Sequence, residues 1–257
     1  MSLLLKTGKF FPFLPDSPIM NEPSAKVSTL FDGIRLALTG VSLDSIIALR
    51  NARRLKDDGS YVTEGDLLVQ QKVTELVQVS FPEALLLSEE SALPENSDLL
   101  MGWVVVLDPI DGTENFTSGF PIWGISVCCY LDGSHIGSMI GCPELGSWLR
   151  TGDPLVRYTS RIRGLSSSLN KEQLAAISPG PEYRMFGCCV FNMLSVIRGS
   201  LLTFENPKGA AVWDVLGGFN IALEHGLAVE VDGAPYSGTM LVPTERYKFK
   251  VGAVLQP

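Results

Sequence analysis

Apolar residues recur at helical spacing in the first third of the chain, after residues 1–30, which are rich in proline and predicted to be irregular. A first run predicts helix with an interruption near Thr39-Gly40. This run consists of Ile34, Leu36, Leu38, Ile46, Ile47, Leu49 and Leu55. A second run ends before Phe81-Pro82, and Thr63 and Asp66 precede it in the pattern that caps a helix amino terminus. A capped helix is therefore predicted to begin after Thr63.

Two short apolar runs in the middle of the chain end in acidic residues. Residues 84–87 are followed by Glu89-Glu90, and residues 103–107 are followed by Asp108. Both runs predict buried strands that deliver carboxylates at their carboxyl ends. Residues 122–140, which alternate around Asp132-Gly133, predict a hairpin.

Strands and helices are predicted to alternate through the second half of the chain. The predicted elements are a strand at 175–178, a helix at 190–198, a strand at 201–204, a helix from Trp213-Asp214 to Gly226 and a strand at 227–231. This alternation favours a layered α/β architecture in which helices cover the sheets. Polar sequence at 149–169 predicts a boundary near residue 150, which divides an amino-terminal domain, 1–150, from a carboxy-terminal domain, 151–257.

Composition narrows the class of protein. The 257 residues are 46% hydrophobic and 19% charged, which is typical of a compact globular chain with a sizeable core. The net charge of −8 repels polyanions, so we expect no nucleic-acid partner. No apolar run reaches the roughly 18 residues that a membrane-spanning helix needs, and residues 1–20 show no cleavage site for export. A cytoplasmic protein without membrane association is expected.

Cysteine and histidine usage excludes several kinds of site. Four of the five cysteines form the adjacent pairs Cys128-Cys129 and Cys188-Cys189 in apolar surroundings, which favours buried reduced thiols in a cytoplasm over a disulfide framework. The two histidines, His135 and His225, leave little material for a histidine-ligated zinc site or a Ser-His-Asp triad.

The most informative stretch is Asp108-Pro109-Ile110-Asp111-Gly112-Thr113. Pro109 fixes φ and is expected to end the strand, so that Asp108 and Asp111 converge on one point. A helix that starts at Gly112 and Thr113 would place free N–H groups beside them. Carboxylates alone repel a phosphate, whereas carboxylates that hold a hard divalent cation attract one. The spacing therefore favours a metal-assisted phosphate site.

Three further carboxylates fit the same site. Glu89 and Glu90 follow the neighbouring strand, and Asp214 lies at a helix start in the other half of the chain. Oxygen ligands without histidine or cysteine select Mg²⁺, Mn²⁺ or Ca²⁺ over zinc or copper. Such a site would lie between the two halves.

Each acidic residue also has a simpler interpretation when it is taken alone. Asp66 and Asp214 are typical helix-capping residues. Glu89-Glu90 is compatible with a solvated loop, and Asp108 and Asp111 are compatible with a turn in which an Asp side chain bonds the backbone. The order in which these residues occur together favours the metal site.

With its acidic residues in this order, the chain resembles the inositol monophosphatase family of Mg²⁺-dependent, lithium-sensitive phosphatases. The resemblance rests on Asp108–Thr113, preceded by Glu89-Glu90-Ser91 and followed by Trp213-Asp214, and it extends back to Lys56–Asp66. It also takes in Asn115-Phe116, Gly119–Pro121, Gly187–Met193 and Ala228–Gly238. The resemblance implies a layered α/β/α/β/α sandwich, usually assembled as a homodimer.

The resemblance also implies roles for individual residues. Glu89, Asp108 and the carbonyl of Ile110 would hold one Mg²⁺, and Asp108, Asp111 and Asp214 a second, with Mn²⁺ as a possible substitute. Glu90 would lie just outside these sites or on a third ion and counts among the catalytic residues. Thr113 with Asp66 would orient the attacking water, and the backbone of Gly112 and Thr113 would hold the phosphate. Substrate contacts would come from Gly187, Cys189, Glu205 and Asp214.

The substrate side departs from the family pattern. Phe204–Gly209 shows an apparent inserted residue where relatives carry an acidic residue before Trp-Asp, and Cys189 and Leu202 replace residues common in the family. The expected activity is hydrolysis of a small polyol or sugar phosphate. The alternatives are 3′(2′),5′-bisphosphate nucleotidase, fructose-1,6-bisphosphatase, histidinol-phosphate phosphatase, or a non-catalytic protein that binds phosphate or metal.

Overall fold

The computed structural model describes residues 22–57, 59–91 and 101–253. Its α-helices are α1 (Glu22–Ala37), α2 (Gly40–Ile47), α3 (Glu64–Ser80), α4 (Thr113–Thr117), α5 (Lys171–Ala175), α6 (Cys189–Ile197) and α7 (Val212–Glu224). Its strands are β1 (Arg53–Leu55), β2 (Tyr61–Thr63), β3 (Leu85–Ser88), β4 (Trp103–Asp111), β5 (Gly124–Leu131), β6 (Ser134–Cys142), β7 (Ser147–Arg150), β8 (Arg163–Leu165), β9 (Tyr183–Arg184), β10 (Thr203–Ala210), β11 (Ala228–Val231), β12 (Ala234–Pro235) and β13 (Tyr247–Gly252).

In these ranges the strands form two large sheets and the short β1–β2 pair. The five-stranded sheet has the order β3-β4-β5-β6-β7, in which β3 and β4 are parallel and the other neighbours are antiparallel. The six-stranded sheet has the order β12-β11-β13-β10-β8-β9. The parallel pairing of β3 with β4 matters for function, because it brings the carboxyl ends of both strands to one edge.

Alternation along β4 shows that the five-stranded sheet is buried on both faces. Val105 and Leu107 pack with α1 and α3, whereas Val104 and Val106 pack with α6 and α7. A strand covered on both sides needs a nearly continuous apolar run, and residues 103–107 provide one. The adjacent Cys128 and Cys129 of β5 divide between the same two faces, and both are free thiols.

Helices α6 and α7 fill the space between the two sheets. Phe219 of α7 lies with its ring centroid 5.1 Å from that of Phe249 on β13, and Phe249 lies 5.2 Å from Phe204 on β10. These aromatic contacts join α7 to the six-stranded sheet, while α7 also packs on β4, β5 and β6. The layered α/β fold class is confirmed. One hydrophobic cluster includes residues from both sides of position 150, so the proposed domain division stays a prediction.

Several predicted elements are confirmed. The helix break falls between α1 and α2, and α3 begins after Thr63 with the predicted capping box between Thr63 and Asp66. The hairpin of β5 and β6 turns at Asp132 and Gly133, which have φ of 48° and 73°. The predicted helix at 190–198 is α6, and the helix that opens near Trp213 is α7.

Four predictions about the elements were wrong in part. Helix α1 already begins at Glu22, within the stretch predicted to be irregular. Leu55 lies in a strand, because β1 pairs with β2. Residues 175–178 form no strand: the capping box of Asn170 and Gln173 starts α5 just before them, and α5 ends at Ala175. Strand β4 continues past Pro109, since the register shifts between Asp108 and Asp111, where the missing N–H of proline is tolerated.

The contact between α7 and the five-stranded sheet depends on a glycine. A Cβ atom at Gly217 would lie 2.6 Å from the Oγ of Ser126 and 3.1 Å from a side-chain carbon of Ile140. Gly33 on α1 is a matched helical glycine, whose Cβ would meet only the flexible end of Leu76, at 3.3 Å.

We expect Gly217→Ala to lower the free energy of unfolding by about 1–3 kcal/mol, because the new methyl group overpacks a rigid contact. Gly33→Ala should leave it unchanged or raise it by up to about 1 kcal/mol, because alanine favours the helix. Urea unfolding of both variants measures the difference. Equal stability of the two would show that the α7 contact can relax.

Candidate metal centre

The carboxylates of three separate segments meet at the edge where β3 and β4 end. Ser88 is paired with Leu107, and the N–H of Glu89 donates to the Leu107 carbonyl at 3.3 Å, so Glu89 and Asp108 lie side by side. Asp214 reaches the same point from the first turn of α7. One carboxylate oxygen from each of Glu89, Asp108 and Asp214 lies within 4.8 Å of the other two.

Asp108 has no counterion and no hydrogen-bond donor in the described part of the chain. Its side chain is completely buried, and neither carboxylate oxygen has a hydrogen-bond partner. Burial, reinforced by the nearby charges of Glu89 and Asp111, raises its pKa well above the ordinary value. A buried carboxylate without a donor is costly unless a cation or a proton neutralises it. An all-oxygen cluster around such a group fits a hard divalent cation.

Asp111 ties this edge to helix α6. Its Oδ2 accepts the S–H of Cys188 at 2.8 Å and the N–H of Val190 at 2.6 Å. Burial raises the pKa of Asp111 to about 6, although these hydrogen bonds act in the opposite direction. One Asp111 oxygen is thus held by α6.

Asp214 is a capping residue and a member of the acidic cluster at the same time. Its Oδ2 accepts the N–H of the N-cap residue Ala211 at 2.8 Å, so Asp214 helps to cap α7 without being the N-cap itself. Burial raises its pKa to about 7, with further contributions from the charges of Asp111 and Glu89. Asp214 lies at the third position of α7 rather than at the cap itself.

Asp66 and Thr113 come together beside the cluster. Asp66 Oδ2 accepts the N–H and the hydroxyl of Thr63, which leaves Oδ1 at 3.3 Å from the hydroxyl oxygen of Thr113. The same hydroxyl oxygen lies 3.1 Å from the carbonyl of Ile110. Burial raises the pKa of Asp66 above its ordinary value. The pair that the resemblance implies is therefore present.

Gly112 allows β4 to approach α6 closely. It adopts φ of 81°, and a Cβ atom there would lie 3.0 Å from the Cβ of Cys188 and 3.2 Å from the carbonyl oxygen of Gly187. A larger residue would be strained and would push α6 away from Asp111.

Lys56 is a residue of this site whose role sequence analysis missed. Its Nζ lies 2.9 Å from Oε1 of Glu89 and 2.6 Å from Oε1 of Glu90. Burial lowers the pKa of Lys56, but the attraction of the two glutamates outweighs it and holds the pKa above its usual range. The sequence feature that could have identified Lys56 is its position at the start of segment 56–66, over which the chain resembles the family.

A cavity of about 210 Å³ adjoins the metal centre. Its lining includes Asp111 and Asp214 together with the predicted substrate residues Gly187 and Cys189. Glu205 does not line it, because its carboxylate pairs with Lys250 at 2.9 Å; a substrate contact by Glu205 stays a prediction. The remaining polar lining, which sequence analysis did not assign, comprises Ser166, Ser167, Asn192, Asn206, Lys208 and Arg246.

Fold and site together define a layered α/β protein with a cluster of carboxylates that could hold a metal ion. The profile of the inositol monophosphatase family matches residues 44–173. The chain belongs to this family.

Sequence identity to individual relatives is low. The chain is 25% identical over 203 residues to an inositol-1-monophosphatase of Mesorhizobium japonicum, which covers 70% of this chain and 75% of that protein. It is 34% identical over 79 residues to the Nus factor SuhB of Pasteurella multocida, but this match spans only 31% of the chain and 29% of that relative.

The fold is also found in solved structures. A structure of an IMPase/NADP phosphatase complexed with Mg²⁺ and phosphate superposes with a TM-score of 0.75 at 18% identity, over 91% of this chain and 92% of the other. Helices long and apolar enough to cross a membrane do not occur among the residues that the structure describes.

The acidic cluster predicts how the stability of the metal-free protein depends on pH. Asp111 and Asp214 have raised pKa values, about 6 and about 7, so their contribution to stability is fully present below the unfolded-state pKa near 3.8 and is lost as pH rises through 7. Mg²⁺ should therefore raise the melting temperature more at pH 8 than at pH 6. Thermal unfolding in EDTA and in Mg²⁺ at both pH values measures this. A Mg²⁺ effect independent of pH would contradict the assignment.

Proposed function

We propose that this protein is a Mg²⁺-dependent phosphomonoesterase that hydrolyses a small polyol or sugar phosphate. The observation that carries the proposal is Asp108, whose two buried oxygens lack any donor in the described residues and lie beside Glu89 and Asp214. Family membership supports phosphatase chemistry. The combination favours hydrolysis over phosphate binding alone, because the residues that would activate water accompany the metal ligands.

Two groups of ligands account for two divalent cations. Glu89, Asp108 and the carbonyl of Ile110 would hold one, and Asp108, Asp111 and Asp214 the other, with Mn²⁺ as an alternative to Mg²⁺. When bound, the cations lower the pKa of water and stabilise the negative charge of the leaving oxygen. Lys56 already neutralises Glu90, which lies next to these ligands, so the structure offers a protein cation where a third ion would otherwise be needed.

The chain's own groups orient the nucleophile and accept its proton. The Thr113 hydroxyl can donate to Asp66 Oδ1, which leaves a lone pair of Thr113 Oγ1 for the proton of an attacking water. As that proton moves to Oγ1, the original hydroxyl proton moves to Asp66. The raised pKa of Asp66 suits it to receive a proton. The N–H groups of Gly112 and Thr113 would hold the phosphate oxygens.

Covalent catalysis fits the site less well. Burial raises the pKa of Cys188 and of Cys189 well above the ordinary thiol value, so neither is poised as a thiolate nucleophile. Asp108 and Asp111 belong to the acidic cluster, where both would serve as metal ligands. This leaves neither of them as the nucleophile of an aspartyl-phosphate mechanism. Water is the nucleophile that this arrangement supports.

The same phosphate-release assay tests the alternative functions. The alternative substrates are nucleotide bisphosphates, fructose bisphosphate and histidinol phosphate. A non-catalytic role would be favoured by loss of a ligand or of the Asp66–Thr113 pair, and both are present in this chain. A homodimer, lithium sensitivity, a cytoplasmic location and the absence of a nucleic-acid partner stay predictions.

Asp111→Asn should reduce Mg²⁺-dependent phosphate release by at least about 10–100-fold, the range for groups that merely support a metal ligand. Asparagine can still accept from Cys188 and Val190, so the fold should persist. Phosphate release from inositol, sugar, nucleotide and histidinol phosphates measures the effect. Asp44→Asn, an exposed change on α2, is the matched control. Unchanged turnover in Asp111→Asn would reject the two-metal assignment, and silence of the wild type across the panel with Mg²⁺ bound would support a non-catalytic role.

Thr113→Ala should lower kcat by about 10²-fold or more, because it removes a proton-transfer group beside Asp66. Thr113→Ser retains the hydroxyl and should retain most of the activity. Steady-state kinetics on the preferred substrate separates kcat from KM. An effect on KM alone would show that Thr113 binds substrate without handling the proton.

A further inference from the structure

Two cationic side chains line the cavity beside the metal centre. Lys208 lies on β10, and Arg246 lies one residue before β13. Both are exposed, and both line the 210 Å³ cavity whose lining also includes Asp111 and Asp214. A ligand held at the metal centre would therefore lie within reach of both.

Neither cation is paired with a protein carboxylate. Within 22–57, 59–91 and 101–253, no carboxylate oxygen lies within 4.0 Å of the charged nitrogens of Lys208 or Arg246. Nearby Lys250 differs, because it pairs with Glu205 at 2.9 Å. The charge of Arg246 lowers the pKa of Asp214, but Arg246 forms no ion pair with it, and Asp214 accepts the N–H of Ala211 instead.

Hydrogen bonds fix the main chain at Lys208 and the guanidinium of Arg246. Asn206 Oδ1 accepts the N–H groups of Lys208 and Gly209, both at 3.0 Å, where the register of β10 shifts against β13. The guanidinium of Arg246 donates to the Gly209 carbonyl at 3.2 Å. The irregularity in β10 that interrupts the family pattern thus positions Lys208 and anchors Arg246.

The same cavity carries buried polar atoms that lack partners. The Oγ of Ser166 and the Oδ1 of Asn192 are buried without a hydrogen-bond partner among the described residues, and both side chains line the cavity. Asn192 is 1% exposed. Unsatisfied buried polar atoms are costly, so these two indicate a polar ligand as their natural partner.

Charge balance indicates what that ligand carries. The divalent cations of the metal centre would neutralise its carboxylates and attract the phosphate that is cleaved. Lys208 and Arg246 are not needed for that phosphate, and they remain as two positive charges on the substrate side. A guanidinium and an ammonium that line the same cavity suit a second phosphate or carboxylate group.

We infer that Lys208 and Arg246 form a subsite for a second anionic group, so that the substrate is a small phosphate ester with another negative group in addition to the phosphate that is removed. The inference rests on the proposed function for the position of the cleaved phosphate. It makes these two residues determinants of specificity and leaves the chemistry to the metal centre.

Three matched probes that are not hydrolysed test the subsite. They are propylphosphonate, propane-1,3-diphosphonate and 4-phosphonobutyrate, which present no second anion, a second phosphonate and a carboxylate. Calorimetric titration in excess Mg²⁺ should show about tenfold or tighter binding of at least one probe with a second anionic group relative to propylphosphonate, on the scale of a charged hydrogen bond. The two probes with a second anionic group distinguish a phosphate subsite from a carboxylate subsite.

Lys208→Gln and Arg246→Gln should each reduce this preference several-fold, and the double variant should abolish it, while the affinity for propylphosphonate stays within about twofold. Lys26→Gln and Arg35→Gln, exposed changes on α1, remove the same charge far along the chain and should preserve the preference. Equal affinity for all probes, a preference that survives in the double variant, or no binding of any probe would overturn the inference.

The phosphate-release assay separates this inference from the proposed function. Absence of Mg²⁺-dependent release from every substrate, with the preference for a second anionic group intact, would reject hydrolysis and retain the subsite. Release with equal kcat/KM from substrates with and without a second anionic group would retain hydrolysis and reject the subsite.

Discussion

The arrangement of this protein depends on burying the carboxylate of Asp108 without a donor. Such a group cannot stay ionised inside a protein unless a cation lies against it, and the neighbouring Glu89 and Asp214 make the need stronger. The parallel pairing of β3 with β4 and the start of α7 bring these groups together. The fold therefore concentrates negative charge that divalent cations can neutralise. Without such cations, burial and the same concentration of charge raise the pKa values of the clustered carboxylates.

Contacts across the two halves of the chain hold this centre in shape. Asp111 is bound by the Cys188 thiol and the Val190 N–H, so the start of α6 positions a carboxylate that β4 supplies. Gly112 permits the approach, because a side chain there would collide with Cys188. The buried layer between the sheets is thus part of the site, and a change in packing at α6 or α7 would displace the carboxylates of the acidic cluster.

The two sides of the cavity differ in how their proposed roles arise. The side proposed for catalysis consists of carboxylates, a hydroxyl and main-chain groups, whose roles would follow from general chemistry. The side proposed for substrate binding consists of an irregular strand, Asn206 and two unpaired cations, which the family resemblance does not supply. The inferred subsite would place specificity in the local path of β10 and in the segment that carries Arg246.

Much of the fold and of the acidic site could be predicted from the sequence, because these features depend on residues that are neighbours along the chain. The capping box of Thr63 and Asp66, the hairpin turn at Asp132 and the order of the acidic motifs all follow from local patterns. Helical periodicity and proline rules failed where strand pairing decided the outcome: Leu55 joined a strand because β2 was available, and β4 passed Pro109 because its register could shift. The sequence by itself determined which chemical groups the site contains. Only the tertiary structure decided that Lys56 would lie on Glu89 and Glu90, that Glu205 would turn to Lys250, and that Lys208 and Arg246 would share a cavity, because these contacts join residues that no periodicity relates.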